Sequence, residues 1–274
     1  MTITYILVLA IIQGLTEFLP VSSSAHLALA PKLVGEADQG QVMDAAMHMG
    51  TLLAALIYYR RDVFEIVTAV LKWSDPKRKA ARNLGIYIAL SSIPALAFGF
   101  AIHYVAEHHE AIKTGLRSIG VIATTTLLFG ILMGVADKKG SETKGIGDIT
   151  LRQALIIGCA QALAAIFPGV SRSGITMTAA RFMNFKRVDA ARFSFLLGMP
   201  ATAAAASLSF YELFKSGDAV VLHEGMIAAV MTFFFGLAAI YFMIKWLKRF
   251  GLMPYVVYRI LLAGFLFAKF IVFA

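Results

Sequence analysis

Charge is scarce in this chain, and acidic charge most of all. Asp and Glu number 16 against 25 Lys and Arg, and charged residues make up 15% of the 274 positions. Cysteine is nearly absent: the single Cys159 excludes an intramolecular disulfide and a thiolate metal cluster. Set in an apolar segment, it is expected to pack as a small hydrophobe. No Lys or Arg precedes Lys32, and Gln13 and Glu17 interrupt the first apolar stretch, so a cleaved secretory leader is not expected. What replaces charge is apolar surface. At 59% hydrophobic residues and a mean hydropathy of +0.77, the chain carries more than one soluble core can enclose, so its expected solvent is lipid.

Uncharged runs long enough to cross about 30 Å of hydrocarbon occur at 83–104, 118–136, 193–211 and 225–244. Two weaker runs, 42–59 with Asp44 and His48 and 250–268 with Arg259, complete a set of six expected spans. In a soluble protein a net charge of +9 would suggest nucleic acid. Here the basic residues fall in the short loops between spans, where they set topology, and no nucleic-acid partner is expected. With the N-terminus outside, the outer loops hold only Lys32, Lys113, Arg117, Lys215 and Lys269, and nearly all other Lys and Arg lie inside.

Two further apolar segments, 3–31 and 151–182, are broken in the middle by proline and a polar run: TEFLPVSSSAH in one, PGVSRSG in the other. Arms of about 10–14 apolar residues are too short to span and suit re-entrant hairpins. Non-helical backbone at membrane depth needs protein or a water-filled cavity around it, so both tips are expected to face one polar pocket. The halves 1–136 and 150–274 resemble each other. Gln13 stands seven residues before Pro20 as Gln161 does before Pro168, serines follow each proline, and Asp44-Ala-Ala matches Asp189-Ala-Ala. A hairpin followed by three spans, repeated, places the second half upside down within a single membrane domain. The expected fold is therefore an all-α integral membrane protein of six transmembrane helices and two re-entrant hairpins in an inverted repeat.

An unpaired guanidinium at membrane depth costs several kcal/mol, so Arg172 needs an anion. Its fork matches phosphate oxygens, and Ser171, Ser173 and the N–H groups around Gly169 and Gly174 add donors. The competing role is a salt bridge to Glu17 or Asp44. Glu17 is followed within nine residues by Ser22, Ser23, Ser24 and His26, a density of hydroxyl, base and donor suited to attack on phosphorus. Glu17 or His26 can accept the proton, or Glu17 can hold a divalent ion. At least one serine is expected to serve only as a helix cap, and a packed His26 is an equal alternative. Asp44 and His48 share a helix face, so they can hydrogen-bond each other or point together into the pocket; Asp44, matched by Asp189, reads as a brace for a hairpin. Arg259 reads as snorkelling or pairing within the bundle. His103, His108 and His109, with Glu107 and Glu110, read as a solvated face.

The segments Thr16, Glu17, Pro20, Val21, Ser22, Ser23, His26 and Pro168, Gly169, Ser171, Arg172, Ser173, Gly174 resemble the two signatures of the undecaprenyl-diphosphate phosphatases of the bacitracin-resistance type. The resemblance spans nearly the whole chain. It implies hydrolysis of undecaprenyl diphosphate to the monophosphate and inorganic phosphate, recycling the lipid carrier for peptidoglycan. It also implies a bacterial plasma-membrane location, a site opening to the outer face, and dependence on a divalent cation, Mg2+ or Ca2+. Carried over by position, it points to Glu17, Ser23 and Arg172 as the essential trio, with His26 as a further catalytic candidate. Ser22, Ser24, Ser171, Ser173, Gly174 and Gln13 are placed around the phosphate. Gln13 stands where family members often carry a second glutamate, which puts a two-carboxylate metal site in doubt. The expected partners are the lipid diphosphate, the bilayer and, as an open alternative, a second copy in a homodimer. A carrier for a prenyl phosphate or other anion is the competing function, since broken helices in inverted repeats also build transporters.

Overall fold

The computed structural model describes residues 1–216 and 219–273. Among them the chain is helical throughout, with two short 3₁₀ turns and one isolated bridge from Lys144 to Phe185. The side chains of Lys32, Glu107, Glu110, Lys113 and Lys215, which figured in the charge and histidine readings, lie outside the described residues.

The first broken pair is α1 (Ile3–Phe18) and α2 (Ser23–Val34). Next come α3 (Gly40–Tyr58), α4 (Arg60–Leu71), α5 (Lys79–His108), α6 (Glu110–Leu116) and α7 (Ile119–Lys139). The second broken pair is α8 (Leu151–Ile166) and α9 (Arg172–Phe182). The chain continues through α10 (Arg187–Ser216), α11 (Ala219–Leu247) and α12 (Met253–Phe273). The six expected runs fall on α3, α5, α7, α10, α11 and α12. By length and composition, Pro76–Val105, Ile119–Lys139 and Val220–Leu247 are sufficient to cross a membrane; Val42–Tyr58 with Arg60–Leu71, bent by 78°, makes a fourth if counted as one. Phe98, Leu128, Val230, Phe234 and Leu261 face outward at half or more exposure, as apolar side chains do where the surrounding solvent is hydrocarbon.

Sequence chemistry sets the boundaries. Thr150 caps α8 in a capping box, accepting from the Gln153 N–H while the Gln153 side chain accepts from the Thr150 N–H. Phe64, Val67 and Leu71 recur at helical spacing and are exposed, so the loop expected after residue 59 is instead the amphipathic α4. Helix contacts rely on small residues: α8 crosses α5 where a Cβ on Gly158 would lie 2.1 Å from Ser91 O. In the same manner α1 packs on α11, so each broken pair leans on a helix of the other half.

Three further expectations change. The breaks are much shorter than TEFLPVSSSAH and PGVSRSG suggested: helix persists to Phe18 and Ile166 and resumes at Ser23 and Arg172. Pro31, expected to end the return arm, lies inside α2. Its missing N–H falls late in a short helix that the αL residue Gly35 ends, with its own N–H donating to Pro31 O. Cys159 is exposed on α8 rather than packed.

Candidate active site

Each break is closed by a serine in left-handed backbone. Ser22 has φ 75° and accepts from the Ala25 N–H; Ser171 has φ 70° and accepts from the Gly174 N–H. Such conformations cost about 1–3 kcal/mol each and gather at working sites. The return is immediate capping, so Ser23 and Arg172 become the first residues of α2 and α9, beside N–H groups left without intrahelical partners. The second turn has room for glycine alone: at Gly169, φ 92°, a Cβ would sit 2.3 Å from Thr125 Oγ1. Thr125 uses that hydroxyl to donate to Pro168 O at 2.6 Å.

One buried guanidinium joins the two turns. Arg259 on α12, 1% exposed, donates to Pro20 O (3.3 Å), Val170 O (3.2 Å), Gly169 O (2.8 Å) and Thr126 O (3.2 Å). It thus pairs inside the bundle, with carbonyls rather than a carboxylate, and satisfies backbone that the broken helices leave open. Ser173 Oγ adds a bond across the turns to Leu19 O at 3.3 Å.

Glu17 is the centre of the polar cluster. Its carboxylate accepts from Arg172 Nη2, from Ser23 Oγ at 2.5 Å and from Gln13 Nε2 at 3.1 Å, with His48 Nε2 3.7 Å away. Arg172 also donates to Gly198 O at 3.2 Å and to the Thr202 hydroxyl. The salt bridge weighed as a competing role for Arg172 is therefore present, but it lies in the wall of an open space. Glu17, Ser22, Ser23, Ser24, His48, Ser171 and Arg172 line one cavity of about 650 Å³, whose apolar lining includes Leu96, Phe100, Ala201, Ala204 and Leu208. A charged pole meets an apolar trough, the shape a phosphate ester of a long alcohol requires.

The expected site residues do not all serve it. Ser22 and Ser171 spend their hydroxyls on caps while touching Ser24 and Ser173 at 3.2 and 3.3 Å. Gly174 packs under Ser171, where a Cβ would meet Ser171 Cβ at 3.0 Å. His26, expected beside Ser23, points elsewhere. Its Nδ1 donates to Ser22 O at 2.7 Å, Nε2 meets Tyr258 OH at 2.6 Å, and the two rings stack. Both nitrogens are engaged, which is the packed alternative. Asp44 does brace a hairpin, accepting from Gln39 Nε2 at 2.8 Å while that amide also reaches Leu27 O on α2. His48 bonds the Asp44 carbonyl, not its carboxylate, which turns Nε2 toward Glu17. His103 lines the cavity rather than a solvated face. His48 lines the cavity, the second of the two outcomes its helix face allowed; Thr202 as a partner of Arg172 and Gln161 as a cavity residue were not expected. Only Gln161 carried a signal, its repeat relation to Gln13.

Among the described residues no three of His, Cys, Asp and Glu converge on one point. A cation here would have to share its shell with substrate. Glu17 offers one carboxylate, and Gln13 Oε1, buried and without a partner, offers a neutral oxygen. Hard ions such as Mg2+ take one or two carboxylates plus phosphate oxygens in this way.

The family model described as Bacitracin resistance protein BacA matches residues 6–265. A protein of Teredinibacter turnerae named undecaprenyl-diphosphatase is 43% identical over 97% of this chain and 99% of its own length. Proteins of the same name from Hahella chejuensis and Alcanivorax borkumensis are each 45% identical, over 96% and 93% of this chain and 97% and 94% of theirs. Both serine-capped turns, Glu17 and the Arg259 staple fall inside the matched span, and the chain belongs to the bacitracin resistance protein BacA family.

Proposed function

We propose that this protein hydrolyses undecaprenyl diphosphate to undecaprenyl phosphate and inorganic phosphate, returning the carrier lipid to cell-wall synthesis. The observation that carries the chemistry is the 2.5 Å bond from Ser23 Oγ to Glu17 Oε2, in a cavity with both a polar and an apolar lining. The names of the relatives support the substrate. A carrier that only binds and releases an anion has no use for a hydroxyl held on a buried carboxylate.

In this reading Arg172 grips the non-bridging oxygens of the distal phosphate, assisted by the N-terminal N–H groups of α2 and α9. Ser23 Oγ attacks the distal phosphorus and its proton passes to Glu17. The bond from that phosphorus to the bridging oxygen breaks, and the lipid leaves as its monophosphate. Water then attacks the phosphoserine, releasing inorganic phosphate and restoring Ser23. A divalent cation, held by Glu17 and Gln13 Oε1, would neutralise phosphate charge when bound.

The membrane arrangement supported by charge and apolar runs is multi-pass in a bacterial plasma membrane. Six spans and two re-entrant hairpins, α1–α2 and α8–α9, form an inverted repeat of halves 1–136 and 150–274, with the cavity open to the outer face. The cross-packing of α1 on α11 and α8 on α5, and the matched Ser22 and Ser171 caps, support the repeat. The test is phosphate release by the purified, detergent-solubilised protein given a prenyl diphosphate. Binding of the lipid without release would overturn the enzymatic reading in favour of a carrier.

A further inference from the structure

Gln161 is a group the chemistry above does not use. It lies on α8, is 1% exposed, and neither its Nε2 nor its Oε1 has a hydrogen-bond partner. A buried amide with nothing to bond costs about 1–3 kcal/mol, and an apolar residue of the same size would remove that cost. Gln161 nevertheless lines the cavity shared by Glu17, Ser23 and Arg172. Gln13, which stands in the same relation to Pro20 as Gln161 to Pro168, donates to Glu17. The second amide is left open.

Its place along the cavity indicates what it meets. Helix α8 packs on α9, which carries Arg172 at its first residue, and on α5, which supplies Leu96 and Phe100 to the apolar wall. Gln161 thus lines the same cavity as the charged pole and the trough, on the helix that packs against the elements carrying both. Its neighbours at the cavity are Gly99, Ala164 and Ala165, small residues that leave a rotating amide room. Swinging it inward breaks no hydrogen bond.

Resting on the phosphatase reading, we propose that Gln161 Nε2 binds a non-bridging oxygen of the phosphate that stays on the lipid, the leaving group of the reaction. Arg172 and Ser23 hold the distal phosphate at the pole, so the next phosphate toward the trough is the one within reach of α8. A neutral donor suits that position. It stabilises the charge that builds on the departing monophosphate without holding the product as tightly as a guanidinium would.

The experiment is calorimetric binding of farnesyl monophosphate and, separately, of inorganic phosphate to the solubilised wild-type protein and to Gln161→Leu and Gln161→Glu, with a melting curve for each. Binding is read without turnover, so failure of the wild type to release phosphate would count against the enzymatic reading alone. The expected result is that Gln161→Leu weakens farnesyl monophosphate about tenfold or more, the range for a hydrogen bond to a charged group. Inorganic phosphate affinity stays unchanged, and the melting temperature is equal or higher. Gln161→Glu should weaken the lipid further by repulsion. Three outcomes overturn the proposal: unchanged farnesyl monophosphate affinity in Gln161→Leu, equal weakening of both ligands, or failure of Gln161→Leu to fold, which would make the amide structural.

Discussion

Replacing Glu17 by Gln tests the centre of the site with almost no change of shape. The carboxylate accepts from Arg172, Ser23 and Gln13 at once, and its side chain is 5% exposed, so water does not screen those contacts. A glutamine offers one acceptor oxygen and turns an NH2 toward groups that are themselves donors. It also cannot take the Ser23 proton. Loss of a positioned base slows a reaction by about 10²–10⁴-fold, or about 2.7–5.5 kcal/mol of barrier. The folding penalty should fall below the 3–5 kcal/mol, roughly, of a fully broken buried pair, because Arg172 keeps Gly198 O and Thr202 and is 28% exposed. The assay is phosphate release at saturating prenyl diphosphate, with a melting curve on the same preparation. A folded Glu17→Gln protein within about threefold of wild type would refute the role given to Glu17, threefold being under 1 kcal/mol. Glu17→Asp separates charge from reach: it keeps the anion but draws it back by one methylene, out of the 2.5 Å contact with Ser23, and should be slow as well. Recovery of Glu17→Gln with excess divalent ion would identify the carboxylate as a metal ligand instead.

Arg172→Ala should abolish turnover while the protein still inserts, and Arg172→Lys should recover only part of it, because an ammonium cannot reproduce the two-pronged contact; wild-type rates in the alanine variant would remove Arg172 from phosphate binding. Acid quenching after brief exposure to labelled prenyl diphosphate should leave acid-stable label on Ser23, absent in Ser23→Ala. His26→Ala should retain most activity, since its ring is committed to Ser22 O and Tyr258; label on His26 would reverse that order. Arg259→Met should lower both melting temperature and rate by freeing four carbonyls, and a variant as stable and as fast as wild type would show the staple to be dispensable.

Much of the site was legible because its residues are ones that helices at membrane depth do not otherwise tolerate. Glu17, the serine run and Arg172 stand out against apolar neighbours, and proline and glycine mark both turns. The length of the breaks was not legible: a left-handed Ser22 or Ser171 leaves no compositional mark, yet it lets each helix resume within one residue. Nor was the direction of His26, since a serine and an aromatic partner from α12 look alike until the fold brings Tyr258 across. For His48 the four-residue spacing from Asp44 suited a mutual hydrogen bond as well as a turn into the pocket, and only the fold, which brings Glu17 to 3.7 Å from its Nε2, decides between them. Arg259 was seen as a paired charge, but its partners are backbone carbonyls, which every residue carries and no pattern advertises.

The Arg259 staple also has a consequence for how the protein is made. It ties α12 to Pro20, 239 residues earlier in the chain, and to Gly169 and Val170, 90 and 89 residues earlier. During synthesis from the N-terminus the first turn is complete long before the guanidinium that secures it exists. Until α12 packs, the open carbonyls of both turns have no such donor in hydrocarbon. The two turns thus gain this clasp only after residue 259 has been made, and until then the Ser173 and Arg172 bonds to the first turn are the ones that can hold the reactive serine and its carboxylate together.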